Sequence, residues 1–327
     1  LFPFGIIYGL IMAIRNMLFD LGIFDSRTSS IKSIGVGNLS MGGTGKSVVV
    51  MHILKILKDS RTATLSRGYG RKSSGLIIAT SRDNPSRLGD EPYQFLNRYP
   101  KTIVVVSEKR ILGVEAIEKM LPTPEMIVLD DVMQHRWVTP KLMIMTSSYH
   151  DPFFKDFIFP AGKLREFRFG VKRADILVIT NVPEHFSLDQ KDTFLKNINV
   201  NIPIFFTKIC YENLLTQQNK IIDCSLLIKE DFLLVTGIAE SNHLVTHLKK
   251  QYGEFEHLRF QDHHYYTPAD SQLINERAGE KIILTTEKDF AKLAQNFNSN
   301  KLYCIRIELE FIFDEERSLF EKIIRKI

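Results

Sequence analysis

Cysteine is nearly missing from this sequence: Cys210, Cys224 and Cys304 are the three in 327 residues, and no CxxC spacing occurs. An odd, scattered set supports neither a disulfide framework nor a zinc site, and it suits a reducing compartment. Glycine (18) and proline (12) are sparse, and there are no internal repeats or low-complexity tracts. Collagen-like and disordered classes are therefore excluded. One-sided charge is missing too, since 43 Lys and Arg face 38 Asp and Glu for a net +5. That excess is too small to mark a nucleic-acid binder without a concentrated patch. What is present is 44% hydrophobic residues, enough for a full core, over a length that favours two domains.

The N-terminus carries no charge from Leu1 to Ile14, after which Arg15, Asp20 and Asp25 follow. The uncharged run is short for a bilayer crossing. Phe4, Ile7, Tyr8, Ile11, Ile14, Leu18 and Leu21 recur at three- and four-residue steps, giving one apolar helical face with Arg15, Asn16 and Asp20 off it. Two readings stay open, an ordinary core helix and a helix lying in a membrane interface. A signal peptide fits less well, because no basic segment precedes the run and no small-residue cleavage site follows it.

Short β-branched runs then alternate with amphipathic stretches: Ser33 to Gly37, Thr62 to Ser66, Ile103 to Ser107, Met126 to Asp130, Leu142 to Thr146 and Ile176 to Thr180. The alternation predicts a mostly parallel sheet with crossover helices. A second, smaller α/β unit has strands at Phe232 to Thr236 and Ile282 to Thr286, with helices at Ser241 to Gln251, Pro268 to Ala278 and Glu287 to Asn296. Ile204 to Tyr211 and Leu302 to Glu310 read as strands able to pair as a connector, and helix Asp314 to Lys326 as one returning to the first domain. The expected division is residues 1–202, with 311–327 returning to them, and residues 203–310.

The strongest motif is Gly37-Asn38-Leu39-Ser40-Met41-Gly42-Gly43-Thr44-Gly45-Lys46-Ser47, between an apolar strand and the helical pattern Val48 to Lys58. It is a Walker A variant with Ser40 in place of the first glycine. Backbone N–H groups of Gly42, Gly43, Thr44, Gly45, Lys46 and Ser47 can cradle phosphates, the Lys46 amine can reach the β and γ groups of ATP, and the Ser47 hydroxyl can hold Mg2+. A P-loop enzyme also needs an acid at the end of another strand, and Met126 to Asp131 supplies paired carboxylates, Asp130 and Asp131.

Further strings accumulate: Ser66 to Arg71 (SRGYGR), Gly89 to Pro92 (GDEP), Asp130 to Arg136 (DDVMQHR), Pro160 to Glu166 (PAGKLRE), Asp262 to Thr267 (DHHYYT) and Thr285 to Asp289 (TTEKD). Their order and spacing resemble the tetraacyldisaccharide 4'-kinase family, the lipid A 4'-kinases, from near the start to about residue 293. The resemblance implies a P-loop NTPase-like α/β/α domain and a smaller second α/β/α domain joined by a two-stranded connector. It implies transfer of the ATP γ-phosphate to the 4'-hydroxyl of an acylated glucosamine disaccharide 1-phosphate, with Mg2+, at the cytoplasmic face of the bacterial inner membrane. Neither nucleic acid nor an obligate protein partner is implied. The family's catalytic Asp matches Asp90 and its partner His matches His263; Lys46 acts on the phosphates, while Asp130, Asp131 and Glu91, with Ser47, match the metal site. Arg67, Arg71 and Arg165, inside the matching strings, are the candidates for binding the acceptor's phosphate, with Lys109, Arg110 and Arg136 as further cations.

The chain departs from the family at Val132 and Met133, where Gly and an aromatic are common, at Phe167, where Pro often stands, and at Lys163, more often uncharged. Val132 cannot adopt positive φ cheaply, so a turn that needs glycine there must differ. Adjacent His263 and His264 suggest zinc only weakly, because neighbours on a strand face opposite ways. Without resemblance, Gly89 to Pro92 reads as a helix start capped by Asp90. The alternative function is a membrane-recruited ATPase switch of the deviant Walker A type, which carries Lys where Met41 stands.

Overall fold

In the computed structural model, residues 1–217, 220–238, 240–296 and 301–327 are described. They form two compact units, Leu1–Ile209 with Leu309–Ile327, and Cys210–Glu308. Strands Ile204–Gln217 and Leu302–Phe311 carry the chain across both divisions.

The first unit is built on a sheet in the order Ile204–Gln217, Ile176–Thr180, Leu142–Ser148, Lys32–Asn38, Met126–Asp130, Thr62–Ser66, Ile103–Val106 and Ile77–Ile78. Every pairing is parallel except the last. Met126–Asp130 and Ile176–Thr180 are buried at all positions, as strands covered on both faces must be. The closing helix Asp314–Lys326 belongs to this unit, with Phe320 fully buried against Phe205 and Phe311, both rings at 5.3 Å.

The chain leaves Lys32–Asn38, passes through helix Lys46–Ile56, and re-enters the sheet at Thr62–Ser66, beyond Met126–Asp130. Connections diverge at this central strand, which opens a crevice at the carboxyl ends. Register pairs Val36 with Asp130 on one side and Asn38 with Thr146 on the other. The loop after Asn38 and the acids after Leu129 therefore emerge side by side.

Helix Phe2–Asp20 overturns the core-helix reading. It buries Gly5, Gly9, Asn16 and Phe19, while Phe4 (68%), Ile7 (57%), Ile11 (59%) and Ile14 (54%) are exposed. Glycine is required at its contact: a Cβ on Gly9 would lie 2.5 Å from Phe167 Cζ and 2.7 Å from Ile158 Cδ1. Among the described residues this is the one helix long and apolar enough to cross a membrane.

The second unit has parallel strands in the order Glu256–Arg259, Phe232–Thr236, Ile282–Thr286 and Leu302–Phe311. Alternation splits its core: Phe232 and Leu234 pack with Leu244 and Leu248 of helix Asn242–Tyr252. Leu233 and Val235 pack with Ile274 of helix Pro268–Ala278 and Leu293 of helix Glu287–Asn296. The result is a second α/β/α sandwich.

Candidate active site

The phosphate loop is built by glycines in left-handed backbone, Gly42 (φ 101°) and Gly45 (φ 74°). Gly45 is the N-cap of helix Lys46–Ile56 and supplies no side-chain cap, so the first-turn N–H groups face the loop as anion donors. A Cβ at Gly45 would stand 2.9 Å from Thr180 Cγ2. Thr44 is buried rather than presented to a ligand: Asn38 Nδ2 donates to its Oγ1 (2.7 Å), which also bonds Thr146 Oγ1 (2.8 Å). Thr180 Oγ1 donates to the Thr44 carbonyl at 3.1 Å. Gly42 and Gly43 stay exposed, with Lys46 and Ser47 half-buried beside them. From the other side, the Met41 N–H donates to the Lys163 carbonyl and the Arg165 N–H to the Leu39 carbonyl, both at 2.7 Å.

The acidic pair meets this loop. Lys46 Nζ lies 3.4 Å from Asp131 Oδ1, and Arg165 Nη1 donates to both Asp131 oxygens at 3.0 and 3.1 Å. Burial alone would raise the Asp131 pKa, but Lys46 and Arg165 outweigh it and hold the carboxyl below its ordinary range. Asp130 behaves oppositely: burial, then the charges of Asp131 and Glu91, push it up to about 6. Arg110, 2% exposed, donates to the Ser107 and Asp130 carbonyls at 3.0 and 3.4 Å, and burial lowers it to about 10. Burial together with Arg110, Arg15 and Arg67 brings His135 down to about 4.

The turn after Asp130 places its left-handed residue at Asp131 (φ 48°), and Val132 is spared positive φ. Val132 and Met133, each 1% exposed, instead fill the space over two sheet glycines. A Cβ on Gly35 would lie 2.7 Å from Val132 Cγ1, and one on Gly37 would lie 2.5 Å from Met133 Cβ. The departure from the family is thus absorbed by packing.

Behind the acids sits a clasp that the sequence did not suggest. Glu166, 2% exposed, accepts from Asn16 Nδ2 (2.7 Å), Gln134 Nε2 (2.9 Å) and both terminal nitrogens of Arg173 (2.8 and 2.7 Å). Gln134 Nε2 also donates to the Asn38 carbonyl (2.8 Å), and its Oε1 accepts from Arg165 (3.1 Å). Arg15 donates to the Gln134 carbonyl (3.0 Å), and Arg136 to the Asn16 carbonyl (2.6 Å) and Asp20 (2.7 Å). Arg136, expected among the ligand cations, is committed to the first helix. Asn16 was the available signal, a polar side chain in register with Gly5 and Gly9.

The remaining candidates divide by unit. In the first, Asp90 and Glu91 open helix Asp90–Arg98, whose cap is Gly89 (φ 93°) rather than Asp90. Glu91 reaches Asp130 electrostatically. Arg67 is exposed after strand Thr62–Ser66, and Lys109 is the N-cap of helix Arg110–Glu118. Arg71 is a brace: its buried guanidinium pairs with Glu108 and donates to the Gly75 carbonyl at 2.6 Å. In the second unit, His263 lies in a turn, not a strand, at φ 56°, and its N–H donates to the Gly237 carbonyl (3.1 Å). His264 is tethered, bonding Asp270 Oδ2 at 3.1 Å and stacking on Phe260. Asp289, fully buried, accepts from Gly237 N (2.9 Å) and Thr286 Oγ1 (2.8 Å), and burial raises its pKa. Neither histidine thus lies on a strand, so strand alternation does not apply to them.

A parallel sheet with a glycine loop at its switch point, a lysine at the following helix and paired acids on the adjoining strand define a P-loop phosphotransferase architecture. The family pattern described as tetraacyldisaccharide-1-P 4'-kinase matches residues 1–327. Tetraacyldisaccharide 4'-kinase of Flavobacterium psychrophilum is 40% identical, the alignment covering all of this chain and 96% of the relative. That of Bacteroides thetaiotaomicron is 35% identical over 99% and 92%. The crystal structure of LpxK from Aquifex aeolicus in complex with ATP superposes with a TM-score of 0.81 at 30% identity, covering 100% and 98% of the two chains. The chain belongs to the tetraacyldisaccharide-1-P 4'-kinase family and is an ATP-dependent kinase of lipid A biosynthesis. The alternative of a membrane-recruited ATPase switch of the deviant Walker A type is not favoured.

Proposed function

We propose that the loop Gly42 to Ser47 binds the ATP phosphates and that the γ-phosphoryl group passes to the 4'-hydroxyl of tetraacyldisaccharide 1-phosphate. The observation that carries this assignment is the meeting of Lys46 with Asp131 at the mouth of a helix N-terminus. In that pair Asp131 holds Lys46 beside the loop, and an incoming phosphate takes over the lysine. Burial, and after it the charges of Asp131 and Glu91, raises the Asp130 pKa, so a cation placed beside these acids would be favoured. Mg2+ binds through one or two carboxylates plus substrate phosphates. Ser47 and these acids would hold the ion, which when bound neutralises phosphate charge.

Asp90 takes the proton of the acceptor hydroxyl, with His263 as its partner, a contribution of about 10² to 10⁴ in rate. Arg165 and Arg67 serve the acceptor's phosphate, while Arg71 braces the turn that presents Arg67. The first helix lies in the membrane interface on the cytoplasmic face of the inner membrane, where the acylated acceptor resides. The test is label transfer from ATP to tetraacyldisaccharide 1-phosphate in detergent. A folded Lys46→Ala chain should lose transfer, and normal kinetics in that chain would sink the assignment. Asp90→Ala and His263→Ala should each lower turnover with ATP affinity kept, and the double variant should be little worse than the worse single. Fully multiplicative losses would separate the two roles.

A further inference from the structure

The segment from Asp151 to Lys172 exposes Phe157 (51%), Phe159 (43%) and Phe169 (53%). Large rings grouped on a surface mark an interaction site. These rings share one scaffold: the Arg168 guanidinium lies 5.6 Å over the Phe157 ring, and Phe167 stacks on Phe169 at 5.6 Å. The first helix rests directly against it, with Phe2 edge-on to Phe157 at 5.3 Å and Tyr8 to Phe159 at 6.0 Å. The exposed apolar face of that helix and the three rings are therefore contiguous.

Charge in the segment is arranged for an anionic partner. Lys155, Arg168 and Lys172 are exposed. The acids are occupied: Asp151 pairs with Lys163 at 2.5 Å, and Asp156 accepts from the backbone N–H groups of Phe157 (2.7 Å) and Lys163 (3.1 Å). Aromatic rings beside basic side chains suit the boundary between acyl chains and anionic headgroups.

We propose that this segment is a second membrane-contact element, in which Phe157, Phe159 and Phe169 enter the surface of an anionic bilayer while Lys155, Arg168 and Lys172 meet lipid phosphates. The proposal rests on the interfacial reading of the first helix and adds a surface that the helix does not contain. The same segment leads into the Lys163 carbonyl and Arg165, which hold the phosphate loop and Asp131, so membrane contact falls within a few residues of the nucleotide site.

The experiment compares the full chain with a Phe157→Ser, Phe159→Ser, Phe169→Ser variant in co-sedimentation with phosphatidylcholine vesicles and with equimolar phosphatidylglycerol and phosphatidylcholine vesicles. The triple variant should partition about 10-fold or more weakly on both, with ATP affinity unchanged as the check on folding. Lys155→Ser, Arg168→Ser, Lys172→Ser should lose the preference for phosphatidylglycerol and keep the weaker binding to phosphatidylcholine. A single Phe157→Trp chain avoids any folding question: its emission, above that of wild type, should be quenched by lipids brominated in the acyl chain. Wild-type partitioning by the triple variant, or an unquenched Trp, overturns this proposal alone. A wild-type chain that binds neither vesicle overturns it together with the interfacial reading. Normal vesicle binding with a raised acceptor KM in detergent would reassign the rings to the acceptor's acyl chains, and also overturns it.

Discussion

The first and last helices of the nucleotide-binding unit bury opposite kinds of side chain. Asp314–Lys326 behaves as a water-facing helix should: it opens with Asp314 and Glu315, ends with Arg325 and Lys326, and buries Phe320 and Ile324 together with Glu316, which is paired with Lys191 and accepts from the Phe206 N–H. Phe2–Asp20 has neither acids in its first turn nor bases in its last, and it buries two glycines, an asparagine and one phenylalanine while Leu10 and its isoleucines face out. The same unit thus presents one helix designed against water and one designed against something apolar. The difference teaches that the first helix is seated by shape and hydrogen bonds, because its hydrophobicity is directed elsewhere.

The largest expected effect falls on the last helix. Phe320→Ala removes a ring packed on Phe205 and Phe311 and should cost about 3 to 5 kcal/mol, read as a drop in urea midpoint. A loss below about 1 kcal/mol would mean that this helix is not held by its core face.

On the first helix the corresponding loss lies in a polar contact. Asn16→Leu keeps the volume and apolarity of the helix but deletes the 2.7 Å bond to buried Glu166, a cost of about 1 to 3 kcal/mol for a bond to a charged group. Because Glu166 also positions Gln134, which bonds Arg165 and the Asn38 carbonyl, turnover in detergent should fall with it. A variant with lower stability and unchanged turnover would confine Asn16 to seating.

This contrast marks how far the sequence could be read. Strands such as Thr62–Ser66, Met126–Asp130 and Ile282–Thr286 appear with the expected ends, because runs of β-branched residues between turns have few other fates. The phosphate loop was legible for the same local reason, a fixed spacing that makes one structure. The clasp was not: Glu166, Asn16, Gln134 and Arg173 are separated by up to 157 positions in the sequence, and only the topology brings them together. The first helix was half legible, since periodicity identifies an apolar face but not which solvent that face meets. Val132 shows the limit in reverse, because the conformational cost expected there falls on Asp131 instead.

A smaller effect tests the charge that the first helix brings to the site. Arg15 helps depress His135 to about 4, after burial and Arg110. A histidine neutral when folded and ordinary when unfolded leaves the unfolded state binding more protons, so stability rises with pH across that window. Stability should therefore be full above about pH 6.5 and fall toward pH 4, and His135→Gln should flatten the slope. Arg15→Met should flatten it partly. An unchanged slope in His135→Gln would assign the acid sensitivity to other groups.

The smallest effect is the sharpest test of the contrast. Ile11, 59% exposed, lies on the outward face of the first helix, and nothing in the unit packs it as Phe205 and Phe311 pack Phe320. In detergent, Ile11→Ser should therefore change folding stability by no more than about 0.5 kcal/mol, the range of a surface substitution. The same change should weaken vesicle partitioning several-fold, since interfacial binding scales with buried apolar area. An isoleucine whose loss is silent in folding and measurable in partitioning is one whose burial partner is lipid. If Ile11→Ser instead costs stability on the scale of Phe320→Ala, the two helices obey the same rule and the outward face has a protein partner.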